Sequence, residues 1–233
     1  MKRRYLLEIS VETGGAALAA QRGGADRIEL CGNLSIGGIT PSVELMRTLR
    51  EQLRIPVFTM IRPRGGDFVY SEAEFAEMRR SIGEAKRAGM DGVVLGILKN
   101  ERHVDIGRTR ELVEFARPLD VTFHRAFDDC ADLREALEDV IQTGASRILT
   151  SGGAKSAPEG ASTLAELVQR ARERVVILPG SGINPGNVVA IARRTRAQEF
   201  HSGLSTVLPH AVRHPDLFQE EVQKLATLLV GLT

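Results

Sequence analysis

The chain contains no tryptophan, two tyrosines and only two cysteines among its 233 residues. Two cysteines so far apart, Cys31 and Cys130, exclude a disulfide-stapled secreted domain, and no structural disulfide is expected in a reducing compartment. No apolar run approaches the ~20 residues needed to span a membrane, and Glu8 interrupts the first apolar run too early for a signal peptide. These absences predict a cytoplasmic protein with no membrane partner.

An excess of one charge is also missing, since 31 lysines and arginines face 30 aspartates and glutamates. The basic surface that nucleic-acid binding requires is therefore not indicated. Hydrophobic residues make up 42% of the chain and charged residues 26%, which is typical of a globular protein. The length suffices for one large domain with a substantial core.

One pattern occurs three times, at residues 24–30 (GADRIEL), 89–95 (GMDGVVL) and 144–150 (GASRILT). In each copy a helix-like stretch reaches a glycine, a small or polar turn follows, and an apolar run rich in β-branched residues comes next. The glycine suits the end of a helix, and the apolar run suits a parallel strand buried on both faces. The repetition predicts a chain built of successive βα units.

Eight strand-like segments are each followed by a helix-like segment. The predicted strands are residues 5–9, 27–31, 57–61, 92–98, 120–124, 147–150, 175–178 and 198–201. Eight alternations predict an α/β fold, a (β/α)8 TIM barrel that forms a single domain over residues 1–233. An open doubly wound sheet is the alternative, disfavoured because no G-x-G-x-x-G turn follows the first strand.

Charged and imidazole side chains fall at the predicted carboxyl ends of five strands. They are Glu8, Glu29, Arg62, His124 and His201. A barrel brings these ends to one rim. Each residue alone could be a structural ion pair or a hydrogen-bonded core histidine. The occurrence of all five at the carboxyl ends favours a catalytic cluster. Structural ion pairs would be expected at both ends of the strands, but the opposite ends offer mainly Asp26, Asp91 and Arg147.

This cluster suggests acid/base chemistry on a bound anion. Glu8 or Glu29 and His124 are the general acid/base candidates, and Arg62 is the anion-binding group. We expect Glu29 to lie near Arg62 and stay ionised, and His124 to lie near a carboxylate and protonate more easily. If the cluster serves function, its charges should be dispensable for folding.

Three loops that follow predicted strands have residues that favour anion binding. Arg64 lies in the loop after the third strand, and guanidinium groups bind carboxylate or phosphate bidentately. Gly180, Ser181 and Gly182 follow the seventh strand, where barrels often bind phosphate through backbone N–H groups. Ser151 begins a similar loop after the sixth strand. The alternatives are a salt-bridged surface loop for Arg64 and tight turns for the other two.

Metal chemistry has one candidate ligand. The chain has no C-x-x-C or H-E-x-x-H motif. Cys31 is a soft ligand at a strand end and could suit Cu(I). An inert buried thiol is the alternative interpretation.

Several of these segments together are similar to the CutC family. The segments are residues 27–31, 37–42, 60–68, 122–128, 147–153 and 180–184, with the histidine of 199–203. The resemblance implies a barrel, a cytoplasmic location and a role in copper homeostasis, and it implies Cu(I) binding only at Cys31. It supplies no reaction.

Three hypotheses follow. The first is a copper-handling protein that binds Cu(I) through Cys31. The second is a barrel enzyme that acts on a small anionic or polyhydroxylated metabolite. The third, a scaffold with an inert rim, leaves the charged cluster without a purpose. The expected partner is a copper ion or a small anionic ligand, and assembly as a homo-oligomer stays open.

Overall fold

The computed structural model describes residues 5–204 and 214–232. Strands and helices alternate along this part of the chain. The strands are β1 Leu6–Val11, β2 Arg27–Leu30, β3 Val57–Met60, β4 Gly92–Leu95, β5 Asp120–Phe123, β6 Arg147–Thr150, β7 Val176–Pro179 and β8 Glu199–Ser202. The helices are α1 Gly14–Arg22, α2 Val43–Gln52, α3 Glu72–Arg87, α4 Ile106–Ala116, α5 Leu133–Thr143, α6 Ala161–Ala171, α7 Val188–Thr195 and α8 Pro215–Val230.

The eight strands form one parallel sheet in the order β7-β6-β5-β4-β3-β2-β1-β8. The two end strands, β7 and β8, pack beside each other and bring the sheet close to full closure. The predicted (β/α)8 barrel is confirmed, and the open doubly wound sheet is wrong. In the register of β1, Glu8 is level with Arg27 on one side and with His201 on the other.

Local sequence explains where most elements begin and end. Helix α3 starts with a capping box in which Ser71 and Glu74 exchange hydrogen bonds, and α5 ends at Gly144 in the left-handed conformation. The first strand runs two residues beyond its predicted end, because Thr13 caps α1 and the chain stays extended to Val11.

Alternation along the strands divides the buried residues into two layers. On β1, Leu7 and Ile9 belong to the large core between the strands and the helices. Glu8 and Ser10 point the other way, into the barrel, as strand geometry requires. A smaller apolar cluster inside the barrel contains Cys31, Phe58, Met60 and Val94.

An ion network fills the amino-terminal half of the barrel interior. Arg27 Nη2 lies 2.7 Å from Glu199 Oε2, and Arg147 Nε lies 3.0 Å from the same oxygen. Arg147 also binds Asp120 at 3.0 Å. Both guanidinium groups stack on the Phe58 ring, 4.8 and 5.2 Å from its centre. Structural ion pairs therefore lie at the strand ends opposite the rim. From the sequence, few charged residues are expected at those ends.

None of the helices in the described ranges, residues 5–204 and 214–232, has the length and apolar character required to cross a bilayer.

Candidate functional site

A cavity of about 280 Å³ opens at the carboxyl ends of the strands. Six of the residues predicted from the sequence line it: Glu29, Arg62, His124, Ser181, Gly182 and His201. They come from β2, β8 and the segments that follow β3, β5 and β7. The barrel thus brings together most of the predicted rim, although these residues are far apart in the chain.

Three side chains of this cavity have a buried polar atom without a partner. Among the residues that the structure describes, no hydrogen-bonding group meets Glu29 Oε1, Arg62 Nε or His124 Nε2. The three residues are at most 5% exposed. Buried polar groups are nearly always hydrogen-bonded in native proteins. Three such atoms around one cavity therefore indicate a place for a polar ligand.

Arg62 joins two loops that cover the cavity. Its Nη1 donates to the carbonyls of Ile36 and Gly38 at 3.1 and 3.0 Å, and its Nη2 donates to the carbonyl of Gly66 at 2.7 Å. The guanidinium also stacks on Phe68, 4.9 Å from the ring centre. In the described part of the chain its bonds go to these carbonyls, and the Tyr70 hydroxyl also lies beside it. These groups are uncharged, so they leave its positive charge unneutralised. These bonds count against the expectation that Arg62 is dispensable for folding, because the buried Gly38 carbonyl takes its hydrogen bond from this residue.

His124 is held in one tautomer. Its Nδ1 accepts a hydrogen bond from the backbone N–H of Ala126 at 3.2 Å, so the ring proton lies on Nε2. Burial, aided by the charge of Arg62, lowers the pKa of His124 to about 3. The expectation that a nearby carboxylate makes His124 easier to protonate is wrong, because burial and the Arg62 charge lower its pKa instead. His124 is a neutral hydrogen-bond donor.

His201 lies between two glutamates. Its Nδ1 is 2.7 Å from Glu8 Oε1, and its Nε2 is 3.8 Å from Glu29 Oε2. Burial alone would lower the pKa of His201, but the charge of Glu29 and the hydrogen bond to Glu8 raise it. The three side chains offer donor atoms within 4.8 Å of one another.

The two glutamates differ in their surroundings. Glu8 also pairs with Arg27 Nε, and despite its burial this charge and the His201 bond lower the pKa of Glu8 to about 2. Burial raises the pKa of Glu29. Glu29 was expected to be kept ionised by Arg62; its charged neighbours are instead His201, Glu8 and Arg27. Glu8 does not line the cavity, so it acts on the site through His201.

Cys31 lies beside the cavity, fully buried. Its Sγ is 3.5 Å from Glu29 Oε2, and Gly38 packs so closely over it that a Cβ there would come within 3.2 Å of the sulfur. Burial and the neighbouring Glu29 raise the pKa of the Cys31 thiol. The thiol is therefore a protonated group under the loop that Arg62 holds.

The loop after β6 already holds an internal carboxylate. Asp128 accepts hydrogen bonds from the Ser151 and Gly153 backbone N–H groups at 2.9–3.0 Å and from the Thr150 hydroxyl at 2.5 Å. Ser151 itself is fully buried and lies outside the cavity lining. This loop has the anion-binding form that the sequence predicts, but Asp128 takes the place of the anion.

The turn after β7 is open to the cavity. Ser181 and Gly182 both adopt the left-handed conformation, with φ of 71° and 79°, and both line the cavity. Gly180 lies behind them against Leu149 and His201, where a Cβ would clash with Leu149 at 2.5 Å. The glycine at 180 therefore allows close packing under the turn.

Arg64 does not reach the cavity. Its guanidinium binds Glu74 at 2.5 Å and Asp67 at 3.0 Å on the outside of the loop, in agreement with the alternative of a salt-bridged surface loop. Sequence reasoning missed Arg125, which lines the cavity and binds Asp128 at 2.8 Å. Its position directly after His124, at the end of β5, is the signal that could have identified it.

Comparison with known proteins agrees with this fold. The sequence model of the CutC family matches residues 5–206. A CutC family protein of Xylella fastidiosa strain 9a5c is 49% identical over 215 residues, which cover 91% of this chain and 80% of that protein. The human copper homeostasis protein cutC homolog is 46% identical over 197 residues, 84% of this chain and 72% of that protein. A CutC structure from Streptococcus agalactiae has a TM-score of 0.81 at 31% identity and covers 85% of this chain and 98% of its own.

Proposed function

The chain belongs to the CutC family, and we propose that its rim cavity is an enzyme site that binds a small anionic or polyhydroxylated metabolite and transfers protons. The proposal is carried by three polar atoms of residues that line one cavity, Glu29 Oε1, Arg62 Nε and His124 Nε2, which have no hydrogen-bond partner in the part of the chain that the structure describes. The other buried side-chain atoms without a partner among the described residues are hydroxyls outside the cavity lining, on Thr59, Tyr70, Thr109 and Thr122. The three at the cavity are instead charged or imidazole groups, each of which costs about 1–3 kcal/mol or more when it is left unsatisfied.

The positive side of the cavity favours an anion. Arg62 contributes a charge that its carbonyl partners do not neutralise, and Arg125 adds a second guanidinium, which is paired with Asp128. A neutral His124 beside them donates through Nε2 without adding charge. These groups match a carboxylate or phosphate, which guanidinium groups bind through charge-assisted hydrogen bonds.

Glu29 and His201 form the proton-transferring side. Both line the cavity, and His201 Nε2 lies 3.8 Å from Glu29 Oε2. The pKa values of both groups are raised, which brings the carboxyl group closer to the pH at which a general base is most effective. Glu8 serves as the positioning residue, since its hydrogen bond fixes the orientation of the imidazole.

Isothermal titration with small carboxylates and phosphates tests the proposal. We expect Arg62→Gln to weaken binding at least tenfold, because it removes the charge but keeps an amide donor for the loop carbonyls. Arg64→Gln is the matched control, since its guanidinium lies outside the cavity, and it should bind like the wild type. Equal affinities in all three proteins would contradict the proposal.

Cu(I) binding at Cys31 is a second candidate function. It is supported by the name of the human relative, a copper homeostasis protein, and by the position of Cys31 beside Met60 in the small cluster inside the barrel. Thiolate and thioether sulfur are the soft ligands that Cu(I) prefers. Because the thiol pKa is raised, copper must displace a proton, so affinity should fall as the pH falls.

Competition with a chromogenic Cu(I) chelator tests this second function. We expect weak or moderate affinity that Cys31→Ala largely removes. Cys130→Ala is the control, since Cys130 is a buried thiol that lies outside the cavity and bonds to the Ala126 carbonyl. Unchanged affinity in Cys31→Ala would rule out the site. A copper role also accords with the cytoplasmic location proposed from the free thiols.

A further inference from the structure

We infer that the substrate is a small hydroxycarbonyl compound carrying a phosphate or carboxylate, and that the site moves a proton between its two adjacent carbons through an enediolate. The inference rests on the proposed function and specifies its substrate class and reaction. It starts from two groups that line the same cavity, Glu29 Oε1 and His124 Nε2, neither of which has a hydrogen-bond partner among the described residues.

His124 is positioned to donate a hydrogen bond to the substrate carbonyl oxygen, which gains negative charge during the reaction. The Ala126 N–H occupies Nδ1, so Nε2 carries the proton and has no partner within the described residues. The ring packs directly over Gly96, where a Cβ would lie 2.7 Å from Nδ1. A donor fixed before the substrate binds stabilises a developing oxyanion without reorganisation.

Glu29 is the general base of the inferred reaction. It is 3% exposed, and within residues 5–204 and 214–232 its Oε1 has no hydrogen-bond partner, while its Oε2 lies near the Cys31 thiol and His201. The lowered pKa of His124, about 3, supports its role as a neutral donor. A carboxylate and a neutral imidazole in one cavity are a known arrangement for proton abstraction next to a carbonyl.

The proposed step balances without an oxidant or a metal ion. Glu29 takes the proton from the carbon that bears the hydroxyl group, and the electrons of that C–H bond form the carbon–carbon double bond. The carbonyl π electrons move to its oxygen, which accepts a hydrogen bond from His124 Nε2–H. Glu29 returns the proton to the neighbouring carbon. His201 moves the hydroxyl proton to the other oxygen, so that aldose and ketose forms interconvert.

The cavity sets the size and charge of this substrate. A volume of about 280 Å³ is at the lower limit of the ~300–1,000 Å³ usual for ligand sites, which favours three- or four-carbon compounds. Arg62 and Arg125 lie at the same cavity and match the anionic end. The carbonyl end then lies between Glu29 and His124.

Proton exchange with solvent tests the inference directly. Dihydroxyacetone phosphate, glyceraldehyde 3-phosphate, hydroxypyruvate and tartronate semialdehyde are incubated with the protein in D₂O, and deuterium at the carbon next to the carbonyl is followed by ¹H NMR. The panel distinguishes a phosphate from a carboxylate as the anionic group. We expect exchange with at least one compound and a loss of at least about 100-fold in Glu29→Gln.

Further variants separate chemistry from folding and from contamination. His124→Gln should also lose about 100-fold or more, while Arg64→Gln, purified in the same way, should exchange like the wild type. Each variant is first checked for a cooperative thermal transition. Exchange that persists in Glu29→Gln, or no exchange with any compound, would overturn the inference. If the compounds bind in an Arg62-dependent manner without exchange, only this inference fails; if none binds, the proposed anion site fails as well.

Discussion

Glu8 Oε1 lies 2.7 Å from His201 Nδ1, and the other oxygen of the same carboxylate binds Arg27. The pair is almost completely buried. This bond connects the ion network in the amino-terminal half of the barrel with the cavity at its carboxyl-terminal rim. Glu8 therefore belongs to the supporting structure, whereas Glu29, one strand away, belongs to the site.

The two glutamates should respond in opposite ways to amide substitution. Glu8→Gln breaks a buried ion pair and should lower the free energy of unfolding by roughly 3–5 kcal/mol. Glu29→Gln should leave it unchanged or raise it at pH 7, because burial raises the pKa of Glu29 and its charged form costs stability above the ordinary pKa. Urea unfolding at pH 7 measures both. A larger loss in Glu29→Gln than in Glu8→Gln would contradict the assignment.

Arg62 should matter for stability as well as for binding. Arg62→Met removes the donors for three loop carbonyls, of which that of Gly38 is buried, and we expect a loss of roughly 1–3 kcal/mol. Arg79→Met is the control, since the ion pair of Arg79 with Glu111 is exposed and contributes about 0–1 kcal/mol. Thermal melting compares the two. Equal melting temperatures for wild type and Arg62→Met would show that the loops do not depend on this residue.

His124 should contribute to loss of stability in acid. The unfolded chain protonates this histidine below its ordinary pKa of 6.5, while the folded protein does so only near 3. Stability is therefore lost as the pH falls from 6.5 towards 3. In His124→Asn the drop in unfolding free energy between pH 7 and pH 4 should be smaller by about 2–3 kcal/mol. His103→Asn, at an exposed position, should keep the wild-type drop, and an equal drop in His124→Asn would contradict the neutral imidazole.

The contribution of His201 to stability should change with pH in the opposite direction to that of His124. The pKa of His201 is raised by its two glutamates, so its contribution to stability is present below pH 6.5 and is lost as the pH rises through the raised value. NMR of the imidazole carbons should find His201 charged and His124 neutral at pH 6. The reverse assignment would contradict the site described above.

Gly96 should be needed for the position of His124. In Gly96→Ala the new Cβ would lie 2.7 Å from His124 Nδ1 and 2.8 Å from Cε1, so the ring must move and the affinity for the anion should fall at least tenfold. Gly15→Ala is the control, because no atom lies within 4 Å of its Cβ position. Titration calorimetry compares the two, with circular dichroism as the check on folding. Wild-type affinity in Gly96→Ala would show that the position of His124 is not critical.

The sequence by itself determined the barrel and the set of strand-end residues. Periodic apolar strands, glycine at helix ends and eight alternations leave few other folds, because each unit must bury both faces of its strand. It also identified Glu29, Arg62, His124 and His201, since a parallel barrel places the carboxyl ends of its strands at one rim.

Only the tertiary structure decided what each of these residues does. Glu8 and Glu29 look alike in the sequence, but Arg27 stands beside one and a cavity beside the other. The loop at Ser151 was predicted to bind an anion, and Asp128 fills that place from another part of the chain. A pKa, an ion pair and a free donor depend on neighbours that are distant in sequence, so strand pattern and residue type cannot specify them.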